Sequence, residues 1–229
     1  MQTNIFNIWF YLSILIALLD WFAVSKDYSR LRIFSKPFVL LSLIFWFSSA
    51  QGWNGWGIFT GLALIFSLLG DIFLLKRLIL HNPAFFQFGL VAFLFTQIFY
   101  VIGFNQKGLP PLIPALTVLF IIAGISIINS KSILQSLQKS VDGKKLIPPI
   151  IVYMTALSLM VVSAVTTFFR STWLPAASLL TGLGAMLFYI SDSILAHDKF
   201  AEAIRGSELL VTVTYHLGQI AIIAGYLLH

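Results

Sequence analysis

Two aspartates, Asp71 and Asp192, stand inside long apolar stretches, SLLGDIFLL and FYISDSILA. An ionisable side chain within a membrane span is costly to keep there, which makes it a functional-site candidate. A carboxylate at that depth can pass protons or hold a cation. Two such groups therefore suit either acid/base catalysis or a proton- or cation-coupled transporter. Neither has a partner one turn away on its own helix. Position i+4 from Asp71 is Leu75, and Lys76 and Arg77 at i+5 and i+6 point off its face. Asp192 has Ala196 at i+4. An interhelical ion pair between Asp71 and Lys36 is the structural alternative.

Other polar residues follow helical spacing. Gln97 and Tyr100 lie at i, i+3, and Glu208, Thr212, Tyr215 and Gln219 at i, i+4, i+7, i+11. Such a stripe in an apolar helix must face protein or water rather than lipid. The two glutamines suit either a site or interhelical hydrogen bonds. Gly57, Gly61, Leu64 and Ser67 lie behind Asp71, and Ser178, Thr181, Ala185 and Tyr189 behind Asp192. Small residues there admit close helix packing or line a cavity. Lys36-Pro37 reads as the start of the second helix, which sets Lys36 at the headgroup level to bind a lipid phosphate or to snorkel. His216 reads as structural. No His/Asp/Glu grouping has metal-ligand spacing, so neither a metal nor another cofactor is expected. No GxSxG elbow occurs, which argues against a serine-triad lipase.

The elements that carry these residues follow from composition. Of 229 residues, 59% are apolar and 10% charged, and the mean hydropathy is +0.95. A soluble domain has about 25% charged residues, so a water-soluble or disordered chain is excluded. Apolar stretches fall at 5–24, 37–51, 57–75, 84–104, 110–129, 147–167, 173–196 and 207–228. They are too long for barrel strands and lack alternation. The fold class is an all-α membrane protein, a bundle of eight transmembrane helices. With both termini outside, 12 of the 14 basic residues fall in cytoplasmic loops, leaving only Lys107 and Arg170 outside. That is the asymmetry the positive-inside rule requires. The +6 charge thus sets orientation and calls for no nucleic-acid partner. No cleavable signal is evident, and the first span reads as a retained signal-anchor. There are no cysteines.

The chain reads as one membrane domain, 1–229, with halves 1–129 and 147–229 joined by a polar linker, 130–146. Gly61-Leu62 precedes Asp71 by ten residues, as Gly182-Leu183 precedes Asp192. The separations Asp71 to Gln97 and Asp192 to Gln219 are 26 and 27 residues. The halves read as parallel four-helix pseudo-repeats, with each aspartate four residues from the cytoplasmic end of its helix at matching depth.

The ordered set FSKPF, SLLGDIFLL, FGLVAFLFTQIFYVIGF, GAMLFYISDSILA and TYHLGQIAIIAGYLL resembles the YhhN-like lysoplasmalogenase family of eight-helix membrane hydrolases. The resemblance runs from residue 34 to 228, with Gly70-Asp71 and Ser191-Asp192 its most specific parts. Gln97 stands where many relatives carry histidine, and Gln219 where histidine and glutamine alternate. The resemblance implies hydrolysis of the vinyl-ether bond of a lysophospholipid, giving a fatty aldehyde and glycerophosphoethanolamine or glycerophosphocholine. It carries Asp71 and Asp192 over as catalytic candidates, and Lys36, Gln97, Tyr100, Tyr215 and Gln219 as substrate-binding candidates. Partners would be the lysolipid and membrane lipids, with the site toward the cytoplasmic side.

Overall fold

The computed structural model describes residues 5–50, 53, 55–80, 82, 84–106 and 108–229. Lys107, expected in an outer loop, lies outside the described residues. Among the described residues every regular element is helical: α1 (Ile8–Ser25), α2 (Ser29–Ala50), α3 (Gly57–Leu80), α4 (Ala84–Asn105), α5 (Leu112–Leu137), α6 (Val141–Val165), α7 (Pro175–Phe200) and α8 (Ser207–Leu228), with a 3-10 turn at Thr166–Phe169. All eight α-helices are long and apolar enough to cross a membrane. A span of about 20 residues reaches across a hydrocarbon core of about 30 Å. The protein is an integral multi-pass membrane protein.

The chain forms two compact units: Met1–Lys107 with Tyr226–His229, and Gly108–Gly225. In the first unit α1 packs on α2, α2 on α3 and α3 on α4. The α1–α2 turn is short. Asp27 takes the left-handed conformation there (φ 55), and the Tyr28 N–H donates to the Ala23 carbonyl at 2.8 Å. This hairpin lays the last turns of α1 against the first turns of α2. The core of this unit holds Leu40, Leu43, Trp46, Phe47, Leu64 and Phe104, all fully buried.

In the second unit α6 packs on both α5 and α7, and α5 also touches α7. Glycines bring α7 and α8 into backbone contact. A Cβ at Gly184 would stand 2.7 Å from the Gly218 carbonyl oxygen, and one at Gly218 2.9 Å from that of Gly184. Helix α5 is different: only 6% of its span is buried, against 28–56% for the other seven.

The expected linker is not a loop. Residues 130–137 continue α5, and α6 begins at Val141, so only Gln138–Ser140 join the two helices. The Ser140 side chain accepts the Gly143 N–H at 3.0 Å and starts α6, placing Asp142-Gly143 in a first helical turn rather than a loop turn. The compact units change over near residue 107 instead. Helix α2 likewise starts at Ser29, eight residues before Pro37. Pro37 therefore sits inside the helix, where it cannot donate to the Ile33 carbonyl.

Candidate functional site

Asp71 sits on α3, nine residues before Leu80, or roughly 13 Å along the axis. That is deeper than the sequence expectation, because α3 runs on past Leu75. The carboxylate is 1% exposed, and Lys36 Nζ of α2 lies 3.2 Å from its Oδ1. The interhelical alternative is thus the arrangement found. Lys36 is buried beside Asp71 rather than free at the headgroup level.

Two further charged residues complete this group, and the sequence reading assigned neither to a site. Asp20, on α1, is fully buried and its Oδ1 accepts the Ser35 hydroxyl at 2.5 Å. Arg32 lies one turn before Lys36 on the same face of α2. Both cations act electrostatically on Asp20, and Arg32 also acts on Asp71. Two acids and two bases therefore alternate across α1, α2 and α3. Isolated buried charges of this kind would be prohibitive, and mutual compensation makes them tolerable.

Gln97 and Tyr100 lie fully buried on α4, the helix packed against α3. Gly70 makes that packing possible: a Cβ there would meet the Phe93 ring at 2.6 Å. The Ser67 hydroxyl donates to Thr96 Oγ1 at 3.2 Å, and Thr96 donates to the Ala63 carbonyl at 3.3 Å. The hydroxyl beside Gln97 thereby ties α4 to α3. Tyr100 stacks on Phe104, with ring centroids 5.5 Å apart and planes 5° off parallel.

In the second unit Asp192 lies on α7, eight residues before Phe200. It is half-buried, not fully buried as expected. Its Oδ2 accepts a 2.5 Å hydrogen bond from the Tyr153 hydroxyl of α6. Tyr153 went unassigned in the sequence because it is a single tyrosine in an apolar run. Tyr215 and Gln219 are buried on α8. Tyr215 stands edge-on to Phe188, with centroids 5.5 Å apart. Glu208, the outer end of the expected stripe, is exposed. Ser191 donates to the Val211 carbonyl at 2.9 Å, so its hydroxyl joins α7 to α8.

Below Asp192 a polar chain runs between α5 and α7. His197 Nε2 lies 3.0 Å from both the backbone and side-chain oxygens of Asn129, and Asn129 Nδ2 donates to Ser193 Oγ at 2.8 Å. A groove of about 420 Å³ opens there, with Ile125, Ile128, Ile190 and Ile194 as apolar wall and Asn129, Ser193 and His197 as polar floor. Arg170, outside the spans, donates from Nη1 to the Gly108 carbonyl at 3.0 Å, and burial lowers its pKa from the usual arginine value. Among the described residues no three His, Asp or Glu side chains converge on a point that could hold a metal ion.

Comparison with known proteins finds relatives over most of the chain. The lysoplasmalogenase TMEM86B of Homo sapiens is 28% identical over 204 residues, covering 89% of this chain and 75% of the human protein. The Sus scrofa protein of the same name is 29% identical over 187 residues, covering 82% and 71%. The Mus musculus one is 26% identical over 188 residues, covering 82% and 71%. No solved structure matches significantly. The family model of the YhhN family matches residues 31–226, from α2 to the end of α8, and the chain belongs to that family.

Proposed function

We propose that this protein is a lysoplasmalogenase, hydrolysing the vinyl-ether bond of an alkenyl glycerophospholipid that carries one chain. The reading is supported by relatives that bear that name. The structural observation that carries it is the buried carboxylate of Asp71 beside Lys36, with acid and phosphate-binding cation within 3.2 Å of each other.

Vinyl-ether hydrolysis begins with a proton on the β-carbon. The resulting oxocarbenium ion takes up water, and the hemiacetal collapses to a fatty aldehyde and the free glycerol hydroxyl. One water is consumed and the catalytic proton is returned. The reaction needs a proton donor and an anion near the developing cation, both far stronger in a low-dielectric setting than in water. Asp71 and Asp192 are the carboxylates assigned to these two roles. Tyr153 holds one Asp192 oxygen, which orients that group. Gln97, Tyr100, Tyr215 and Gln219 offer buried amide and phenol groups for water or the hemiacetal. Lys36 serves the phosphate. The termini lie outside and the Asp71 end of α3 faces the cytoplasm.

The test is product analysis with purified protein in detergent. Vinyl-ether, saturated-ether and ester lysolipids are supplied in parallel. Aldehyde release from the vinyl ether alone is expected. No aldehyde, or undiminished release by Asp71→Asn or Asp192→Asn, overturns the reading. Detergent abolishes gradients, so turnover there also separates hydrolysis from transport.

A further inference from the structure

Asp20, Arg32, Lys36 and Asp71 form a cluster whose formal charges cancel. Arg32 and Lys36 lie at i, i+4 on one face of α2, a spacing at which like charges repel. Carboxylates on both sides hold them there. Asp71 takes Lys36 at 3.2 Å from α3. Asp20 acts on both cations from α1. Its two oxygens differ: Oδ1 receives the Ser35 hydroxyl at 2.5 Å, whereas Oδ2 is buried without a hydrogen-bond donor. A buried acceptor without a donor is costly. For a carboxyl oxygen the missing donor can be its own proton.

We propose that Arg32 and Lys36 bind the phosphodiester monoanion of the lysolipid, and that its binding draws one proton from water into the Asp20–Asp71 acids. The inference rests on the lysolipid reading above. Charge balance drives the coupling. The phosphodiester enters the neutral buried cluster while the headgroup ammonium stays in water, which leaves one uncompensated negative charge that the interior opposes. One proton from solvent restores neutrality, and no other reactant is needed. Arg32 is only partly buried, which gives the headgroup access. The proton then arrives with the substrate, so the acid is loaded when a vinyl ether is present to receive it.

The groups facing Asp20 are Arg32, Ser35 and Lys36 from α2, with Asp71 of α3 beyond them. Lys26, Asp27 and Arg30 at the hairpin are exposed, as is Lys76, and Arg77 sits over the Phe86 ring. Helix α4 contributes no charged side chain.

The experiment is calorimetric titration of the full-length protein in detergent, in two buffers of different ionisation enthalpy. The probes are a saturated-ether lysophosphoethanolamine, the alkylglycerol lacking phosphate, and soluble glycerophosphoethanolamine. For the wild type, uptake of about one proton per phosphodiester bound is expected, with Kd rising roughly tenfold per pH unit across the neutral range. The alkylglycerol should bring no proton. Uptake with the soluble headgroup alone supports the proposal and assigns the coupling to the phosphodiester rather than the tail. In Asp20→Asn the cluster starts one positive charge ahead. Its Kd should be flat with pH, and its kcat for vinyl-ether cleavage should fall with no rise in KM. Asp71→Asn should also bind without proton uptake. Binding by the wild type without proton uptake overturns the proposal, as does wild-type uptake in both variants. If Asp20→Asn does not fold, the wild-type proton count and Asp71→Asn decide. Proton-coupled binding without aldehyde release would remove the hydrolase reading and leave this site standing.

Discussion

Lys36 Nζ of α2 lies 3.2 Å from Asp71 Oδ1 of α3, with both side chains buried. Removing one partner leaves the other charge uncompensated, at about 3–5 kcal/mol. Lys36→Met and Asp71→Asn should each lower the thermal midpoint in mild detergent. The double variant Lys36→Met/Asp71→Leu should regain most of that loss, because a buried ion pair contributes little beyond an apolar pair of similar volume. Aldehyde release should stay absent in the double variant. Recovery of activity along with stability would mean that the pair serves only the fold.

Tyr153 and Asp192 give a second prediction. Tyr153→Phe removes a 2.5 Å hydrogen bond to the carboxylate and little volume. A hydrogen bond to a charged group contributes about 1.5–3 kcal/mol, so kcat should fall roughly 10- to 100-fold if it is fully expressed in the transition state. KM should hold within a factor of about three. Steady-state kinetics on a vinyl-ether lysolipid reads both. A rise in KM with kcat unchanged would assign Tyr153 to substrate binding instead.

The α7–α8 contact predicts a sharp dependence on side-chain size. Gly218→Val should cost at least about 1–3 kcal/mol, because a Cβ there already meets the Gly184 carbonyl oxygen at 2.9 Å and the backbones must part. Gly124→Ala is the control. No atom lies within 4 Å of its added Cβ, and the helix should gain about 0.5–1 kcal/mol. Thermal unfolding of the two variants side by side checks the pair.

Orientation is testable without background, because the chain has no cysteine. Gln138→Cys in the α5–α6 turn and Ser171→Cys in the α6–α7 turn are both exposed positions. A membrane-impermeant maleimide applied to intact cells should label the Ser171→Cys variant. The Gln138→Cys variant should label only after permeabilisation. The reverse pattern would invert the assigned topology.

The spans were legible because each is a long apolar run, and that signal depends on composition alone. The α5–α6 connection was not. Lys131, Lys144 and Lys145 look like loop residues, yet hydrogen bonding carries the helices past the apolar band and leaves only Lys139 in the turn. Asp71 is legible through one question, whether an acid inside a span has a base one turn away. The same question flags Asp20, whose i+3 and i+4 neighbours are Ala23 and Val24. Its place near the end of an apolar run disguised it as an interfacial charge. Arg32 reads as a loop charge for the same reason, and Lys36 as the first residue of a helix. Their pairing depends on the turn at Asp27, which aligns the ends of two helices and which residue spacing does not encode. Tyr153 carried no sequence signal, since a tyrosine among aliphatic residues reads as packing.

Touching backbones at Gly184 and Gly218, together with the Ser191–Val211 hydrogen bond, leave α7 and α8 no slack to slide past each other by a turn. Packing of this kind fixes the register between Asp192 and Gln219. Within this unit α5 is the helix least enclosed by its neighbours, with 6% of its span buried. An acyl tail admitted beside it would displace α5 rather than the α7–α8 pair. Turnover in membranes should accordingly quicken as the acyl chains around the protein become more fluid.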